Sequence, residues 1–231
     1  MGKTIELSAA DGHRFAAYLA EPAGQPRAAL VVVQEIFGVN SHIRAVADGY
    51  AADGYLVLAP ALFDRVERGV ELAYSEGEVA RGRELKLRSG NDAPLQDIAA
   101  ALARLRSMLS GGAGQVGIVG YCWGGLLAWL SACKLDGFSS SVPYYGGGMP
   151  EHAALAPRCP VLAHFGERDH LISLDQVRAF ARAHETSQPA VQVQLYAADH
   201  GFNCDQRAAF DAAAAALARQ RTLAFFVQHL G

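Results

Sequence analysis

A strand-like run, a glycine-flanked cysteine and a helix-like run follow one another between Val116 and Leu130, and this succession constrains the fold most. The turn reads Gly120-Tyr121-Cys122-Trp123-Gly124-Gly125. A turn this tight strains its apical residue and needs glycine at its flanks so that neighbouring segments can approach. Cys122 is therefore predicted at the exposed end of a buried strand, where the N–H groups of the following helix favour a thiolate and a developing oxyanion. This layout is typical of nucleophilic acyl transfer, and a buried structural cysteine is the alternative.

The chain has the length and composition of one α/β domain. Its 231 residues, 51% of them apolar, suffice for a single core, so we expect one domain over residues 1–231. The net charge of -3 is spread along the chain and offers no basic stripe for nucleic acid and no polybasic patch for a membrane. The four cysteines lack the spacing of a disulfide framework or a structural zinc site. We find neither a transmembrane stretch nor a signal peptide and expect a cytoplasmic monomer or small homo-oligomer.

Short apolar runs alternate with longer helical patterns, which is typical of a mostly parallel, doubly wound sheet covered by helices on both faces. Asp11-Gly12 predicts a hairpin at an antiparallel edge. Thr4–Ser8 and Arg14–Ala20 are the predicted strands of this edge. The other predicted strands, none with a polar face, are Ala28–Gln34, Leu56–Leu58, Gln115–Gly120, Ser140–Tyr144, Val161–Phe165 and Val191–Tyr196. Helices are predicted over Pro94–Leu109, after Cys122 and over roughly Ala208–Leu230. The segment from Asp64 to Asn91 is predicted to be the least regular part and to form the rim of the site.

A thiol becomes a useful nucleophile when a base takes its proton and a carboxylate orients that base. Asp169 and His170 follow the next-to-last predicted strand, and Asp199 and His200 follow the last one. In a parallel sheet both loops emerge at the same edge as Cys122. The order of nucleophile, acid and histidine is that of the α/β-hydrolase fold. We favour His200 as the base and Asp169 as its partner, with His170 and Asp199 as the competing choices.

The first long strand ends in Gln34-Glu35-Ile36-Phe37-Gly38, where an oxyanion-hole loop is expected. The backbone N–H of Ile36 or of Phe37, together with that of Trp123, is the predicted donor pair for the anionic oxygen. A carboxylate near a thiol raises the thiol pKa or accepts its proton, so Glu35 could keep the thiol protonated until substrate arrives. A glutamate paired with a surface arginine is the alternative, and the spacing does not choose between the two.

Four segments of the chain together resemble the dienelactone hydrolase family, whose members are also called carboxymethylenebutenolidases. These segments are Gln34-Glu35-Ile36-Phe37-Gly38, Gly120-Tyr121-Cys122-Trp123-Gly124-Gly125, Gly166-Glu167-Arg168-Asp169 and His200-Gly201-Phe202. The first two are specific in combination, whereas the last two are generic to α/β-hydrolases. The resemblance implies Cys122 as nucleophile, His200 as general base, Asp169 as its partner and Glu35 as the gate of the resting thiol. It also implies neither a metal nor an organic cofactor.

The lactone-cleaving members of that family grip a substrate carboxylate with two arginines. The resemblance implies Arg81 for the first, with Phe37 and Trp123 as further substrate contacts. The place expected for the second, just after the His-Gly-Phe loop, holds Asn203-Cys204-Asp205, so the second arginine is missing there.

The sequence therefore predicts a hydrolase that cleaves a small ester or lactone through a thioester at Cys122. A broad carboxylesterase or thioesterase is the alternative among hydrolases. Outside enzymes, the alternative is a binding or thiol-sensing module on the same fold.

Overall fold

The computed structural model describes residues 2–109 and 114–231. The strands are β1 (Lys3–Ser8), β2 (Arg14–Ala20), β3 (Ala28–Val33), β4 (Tyr55–Pro60), β5 (Val116–Tyr121), β6 (Ser140–Tyr144), β7 (Val161–Gly166) and β8 (Val191–Tyr196). The α-helices are α1 (Ser41–Ala52), α2 (Glu76–Ser89), α3 (Asp92–Met108), α4 (Trp123–Lys134), α5 (Leu174–Ala183) and α6 (Ala212–Leu230). Short 3₁₀ helices occupy Leu62–Arg65 and Pro150–His152.

The strands form one sheet in the order β1-β2-β4-β3-β5-β6-β7-β8. The hairpin of β1 and β2 and the pairing of β2 with β4 are antiparallel, while the pairs from β4 through β8 are parallel. The mostly parallel sheet predicted from the sequence is thus confirmed. The carboxyl ends of β3, β5, β7 and β8 lie at one edge, where ligands bind in open α/β sheets.

Helices cover both faces of the sheet. Ile43 of α1 and Phe226 of α6 belong to one core cluster. Ile98 of α3, Leu127 of α4 and Phe180 of α5 belong to the other. Since β3 and β5 are buried along their whole length between these two layers, their ends provide rigid attachment points for functional loops. Across the described residues, no helix has both the length and the apolar content needed to span a bilayer.

The segment from Asp64 to Asn91 is more regular than predicted, because it contains α2. The helix begins where the Ser75 side chain accepts a hydrogen bond from the N–H of Glu78. Only Gly82, Leu85 and Ser89 of this helix are buried. Such a polar helix has almost no apolar periodicity, so its pattern resembles that of a loop.

Two further details differ from the sequence predictions. Strand β8 does have a polar side, since Gln192 is exposed and Gln194 is half-buried at this edge of the sheet. Helix α6 begins at Ala212, four residues later than expected. Its start is set by Asp211, whose side chain accepts a hydrogen bond from the N–H of Ala214 at 2.9 Å.

Candidate active site

Cys122 occupies the turn between β5 and α4 with φ 56° and ψ -116°, a backbone conformation that non-glycine residues rarely adopt. Two glycines make the turn possible. A Cβ at Gly120 would collide with the carbonyl oxygen of Gly124, and a Cβ at Gly124 would collide with that of Val33. Because α4 starts at Trp123, the half-buried thiol lies at the positive end of a helix.

Cys122, His200 and Asp169 form a continuous chain of hydrogen bonds. The Sγ of Cys122 lies 3.1 Å from Nε2 of His200, and Nδ1 of His200 lies 2.8 Å from Oδ2 of Asp169. The second carboxylate oxygen of Asp169 accepts the N–H groups of Leu171 and Ile172 at 2.8 and 3.0 Å. Both Asp169 and His200 are buried, so the imidazole is held in one orientation.

The competing candidates lie beside this chain and pair with each other. Nδ1 of His170 is 2.9 Å from Oδ1 of Asp199, and the His170 side chain is exposed while that of Asp199 is half-buried. Asp199 also accepts the backbone N–H of His200 at 2.6 Å. Asp199 thus contacts the backbone of His200, whereas Asp169 contacts its ring.

The electrostatics of the site favour a charged imidazole. Burial disfavours the imidazolium form of His200, but the negative charge and hydrogen bonds of Cys122 and Asp169 outweigh it and raise the pKa of His200 to about 10. The arrangement is suited to proton transfer between the Cys122 sulfur and the His200 imidazole.

Glu35 is 1% exposed and lies in the loop after β3, where its Oε1 accepts a hydrogen bond from Nη1 of Arg207 at 3.2 Å. The guanidinium of Arg207 also lies 5.7 Å from the ring centroid of Phe37 and 5.9 Å from that of Tyr74. The loop after His200 therefore does bring an arginine into the site, although the sequence predicted none there. Arg207 lies seven positions after His200 in the sequence. It reaches Glu35 because two successive turns fold the loop back.

Arg81 has carboxylate partners outside the hydrogen-bonded chain of Cys122, His200 and Asp169. Its guanidinium bonds Glu84 at 2.8 Å and also bonds Glu67, and its side chain is 34% exposed. Arg81 therefore remains a predicted substrate contact, and it would have to leave these partners to act as one.

Of the predicted oxyanion residues, Trp123 is the first residue of α4 and Ile36 lies against Gly82 of α2. Ile36 and Phe37 are buried. The indole N–H of Trp123 donates to Oδ1 of Asn91 at 3.0 Å, and its ring stacks on Phe63. Sequence reasoning also overlooked Tyr145, a buried residue at φ 36° whose ring centroid lies 5.1 Å from that of His200. A strained residue beside a reactive group can be found only from backbone geometry.

Gly82→Ala is expected to disturb the Ile36 loop, because the added Cβ would collide with the carbonyl oxygen of Ile36. We expect a loss of roughly 1–3 kcal/mol in unfolding free energy, together with slower ester hydrolysis. Gly77→Ala is the matched control in the same helix, since its Cβ would meet no atom of the described residues within 4 Å. That variant should be neutral or more stable by up to about 1 kcal/mol. Urea denaturation measures the unfolding free energy, and initial rates measure ester hydrolysis. Equal stability and equal rates in the two variants would contradict the contact between Gly82 and the Ile36 loop.

A thiol, a carboxylate and an imidazole follow β5, β7 and β8 in that order. Together with the mostly parallel sheet, this order defines an α/β-hydrolase. The model of the dienelactone hydrolase family matches residues 15–230. The chain belongs to this family and is a carboxylic-ester hydrolase.

Individual relatives agree with this membership. The carboxymethylenebutenolidase of Pseudomonas putida is 34% identical over 227 residues, which cover 96% of this chain and 94% of that protein. A Synechocystis protein provisionally named carboxymethylenebutenolidase is 34% identical over 229 residues, covering 94% of this chain and 93% of that one. A crystal structure of a Klebsiella pneumoniae protein provisionally named dienelactone hydrolase is 30% identical, covers 99% of both chains and superposes with a TM-score of 0.86. The resemblance predicted from the four sequence segments is confirmed.

Proposed function

We propose that the protein hydrolyses a small ester or lactone through a thioester formed at Cys122. The observation that carries this proposal is the hydrogen-bonded chain from Cys122 through His200 to Asp169, with heavy-atom distances of 3.1 and 2.8 Å. These are the contacts that proton transfer between a nucleophile and an oriented base requires. A module that only binds a ligand or senses oxidants has no need of all three groups.

The reaction proceeds in two acyl transfers. The Cys122 thiolate attacks the carbonyl carbon, and the resulting oxyanion lies between the N–H of Trp123 and that of Ile36 or Phe37. The C–O bond then breaks, and the His200 imidazolium gives its proton to the departing oxygen. In the second transfer, His200 takes a proton from water as the water attacks the thioester. The C–S bond breaks, the acid is released and the thiolate with its imidazolium partner is restored.

Glu35 and Arg207 are proposed to favour an anionic substrate. Arg207 carries a positive charge beside the thiol, and 20% of its side chain is exposed. A substrate carboxylate that reaches this guanidinium would compete with Glu35 for it. Moving the Glu35 carboxylate away would then favour transfer of the Cys122 proton to His200 and so form the thiolate that attacks the substrate. Faster turnover of anionic than of neutral esters of equal size would support this selectivity, and the reverse preference would favour a broad carboxylesterase.

An acyl-enzyme is the direct test of the proposed chemistry. Rapid quenching in acid during turnover of p-nitrophenyl acetate should trap one acetyl group per chain, because the thioester survives at low pH. Peptide mapping should place it on the fragment that contains Cys122. Acetylation on any other residue, or hydrolysis without a trapped adduct in presteady-state samples, would argue against a thioester. Reversible oxidation of Cys122 without hydrolysis of any ester would support the thiol-sensing module instead.

Glu35→Gln should shift the pH profile of Cys122 alkylation by iodoacetamide toward lower pH. The substitution removes a negative charge near the thiol and leaves the cation of Arg207 without its partner, and both changes favour the thiolate. Glu185→Gln, an exposed site in the turn after α5, is the matched control and should leave the profile unchanged. A Glu35→Gln profile that coincides with that of the parent protein would remove Glu35 from the gating role.

A further inference from the structure

A buried cluster of three side chains lies next to the proposed catalytic thiol, and the proposed reaction uses only one of them. Glu35 follows β3, His42 lies in the first turn of α1, and Cys204 follows β8. A carboxylate oxygen, a ring nitrogen and the sulfur lie within 4.8 Å of one another. All three residues are at most 3% exposed. Because the ligands come from three separate segments of the chain, their spacing in the sequence carries no metal-binding pattern.

Two polar atoms of this cluster lack the hydrogen bonds that buried polar atoms normally make. Oε2 of Glu35 and Nε2 of His42 are buried and have no hydrogen-bond partner within residues 2–109 and 114–231. Buried polar atoms without partners are rare, and each needs an explanation such as a missing ion or water. Oε1 of Glu35 is already taken by Arg207, so Oε2 is the atom left for a further ligand.

The other ring nitrogen of His42 has the neighbour that a metal-binding histidine usually has. Nδ1 lies 3.5 Å from Oδ1 of Asp205, whose side chain is 69% exposed. A carboxylate on the far side of the ring fixes the tautomer and directs the lone pair of Nε2 away from it. A cavity of about 410 Å³ lies on the Asp205 side of the ring and is lined in part by His42 and Asp205.

We propose that Glu35, His42 and Cys204 form a binding site for a thiophilic divalent cation of the Zn²⁺ class, with water as the fourth ligand. One sulfur, one nitrogen and one oxygen ligand suit Zn²⁺, which binds them at about 2.0–2.3 Å in a tetrahedral arrangement. That geometry places ligand atoms roughly 3.5 Å apart, so the three side chains need only a small contraction. As the bond between Cys204 and the metal forms, the thiol releases its proton to solvent. The thiolate supplies one negative charge, and the Glu35 carboxylate is shared between the ion and Arg207.

Co²⁺ is the probe for this site, because a thiolate ligand gives Co²⁺ a charge-transfer band in the near ultraviolet. The titration uses the full chain after removal of metals with a chelator, in a Cys122→Ala background that eliminates the catalytic thiol. We expect one Co²⁺ per chain with the thiolate band, and displacement by Zn²⁺. Cys204→Ser should remove the band and weaken binding at least tenfold. Cys159 is another buried free cysteine, and Cys159→Ser should retain both the thiolate band and the Co²⁺ affinity.

Asp205→Asn tests the arrangement without touching a ligand or the core. It should weaken Co²⁺ binding about 10- to 100-fold while the thiolate band is preserved at saturation. Three results would each overturn the proposed site. They are the absence of stoichiometric Co²⁺ binding, a thiolate band that persists in Cys204→Ser, and an unchanged Co²⁺ affinity in Asp205→Asn. If Cys204→Ser does not fold, the Asp205→Asn titration decides. Since the readout is metal binding, the result is independent of whether Cys122 forms a thioester.

Discussion

Replacing Cys122 with alanine is expected to lower kcat for p-nitrophenyl acetate by roughly 10⁶-fold, the order of the loss found when the nucleophile of a catalytic triad is removed. The loss is this large because His200 and Asp169 have no covalent step to assist without the sulfur. Some turnover above that of water alone should remain, since the oxyanion donors and the binding surface are still present.

The fold should survive this substitution. Alanine keeps the Cβ of cysteine, so the strained backbone at φ 56° is the same in both proteins. Circular dichroism and thermal melting should therefore show a folded variant. Cys159→Ala is the control, because it removes a buried free thiol and should leave kcat within a few-fold of the parent value. Unchanged ester hydrolysis by Cys122→Ala would remove the thioester mechanism altogether.

Asp169→Asn should lower kcat by about 10⁴-fold with little change in KM, because the variant imposes the wrong tautomer on His200. Oδ1 of Asp169 accepts two backbone N–H groups, from Leu171 and Ile172. The oxygen of the asparagine is needed at that position, so its NH₂ group must face Nδ1 of His200. The imidazole then carries its proton on Nε2, where it can no longer accept one from Cys122.

Asp199→Asn is the matched control for this prediction. Asp199 contacts His170 and the backbone of His200, and its side chain is 43% exposed. We expect its kcat to stay within a few-fold of the parent value. If Asp199→Asn reduced kcat as much as Asp169→Asn, Asp199 would be the acid that orients the base. Steady-state kinetics on both variants, with melting temperatures to verify folding, separate the two cases.

The positions of the three central groups were predictable because each lies within a few residues of a strand end. Apolar runs as uniform as β5 and β7 are easy to recognise, and parallel pairing carries their following loops to one edge. The structure accordingly brings Cys122, Asp169 and His200 into hydrogen-bond contact. Their catalytic roles remain predictions that the substitutions above test.

Long-range side-chain pairing was not predictable in the same way. Arg207 reaches Glu35 because the loop after His200 turns back on itself. The backbone N–H of Cys204 donates to the carbonyl of Gly201, and the backbone N–H of Arg207 donates to the carbonyl of Cys204. No local pattern encodes this return. Arg81 illustrates the opposite case: once α2 is known, Glu84 three positions later is an evident partner on the same helix face.

Helix α2 and the two-residue link that follows it contact the predicted oxyanion residues at two points. Gly82 packs against the carbonyl of Ile36, and Asn91, just beyond the end of the helix, accepts the indole N–H of Trp123. Mutations in α2 selected for a new substrate would therefore also move the groups proposed to stabilise the transition state. Laboratory evolution of this enzyme should find changes in substrate range and in turnover rate together, and compensating mutations should accumulate at Gly82, Asn91 and their neighbours.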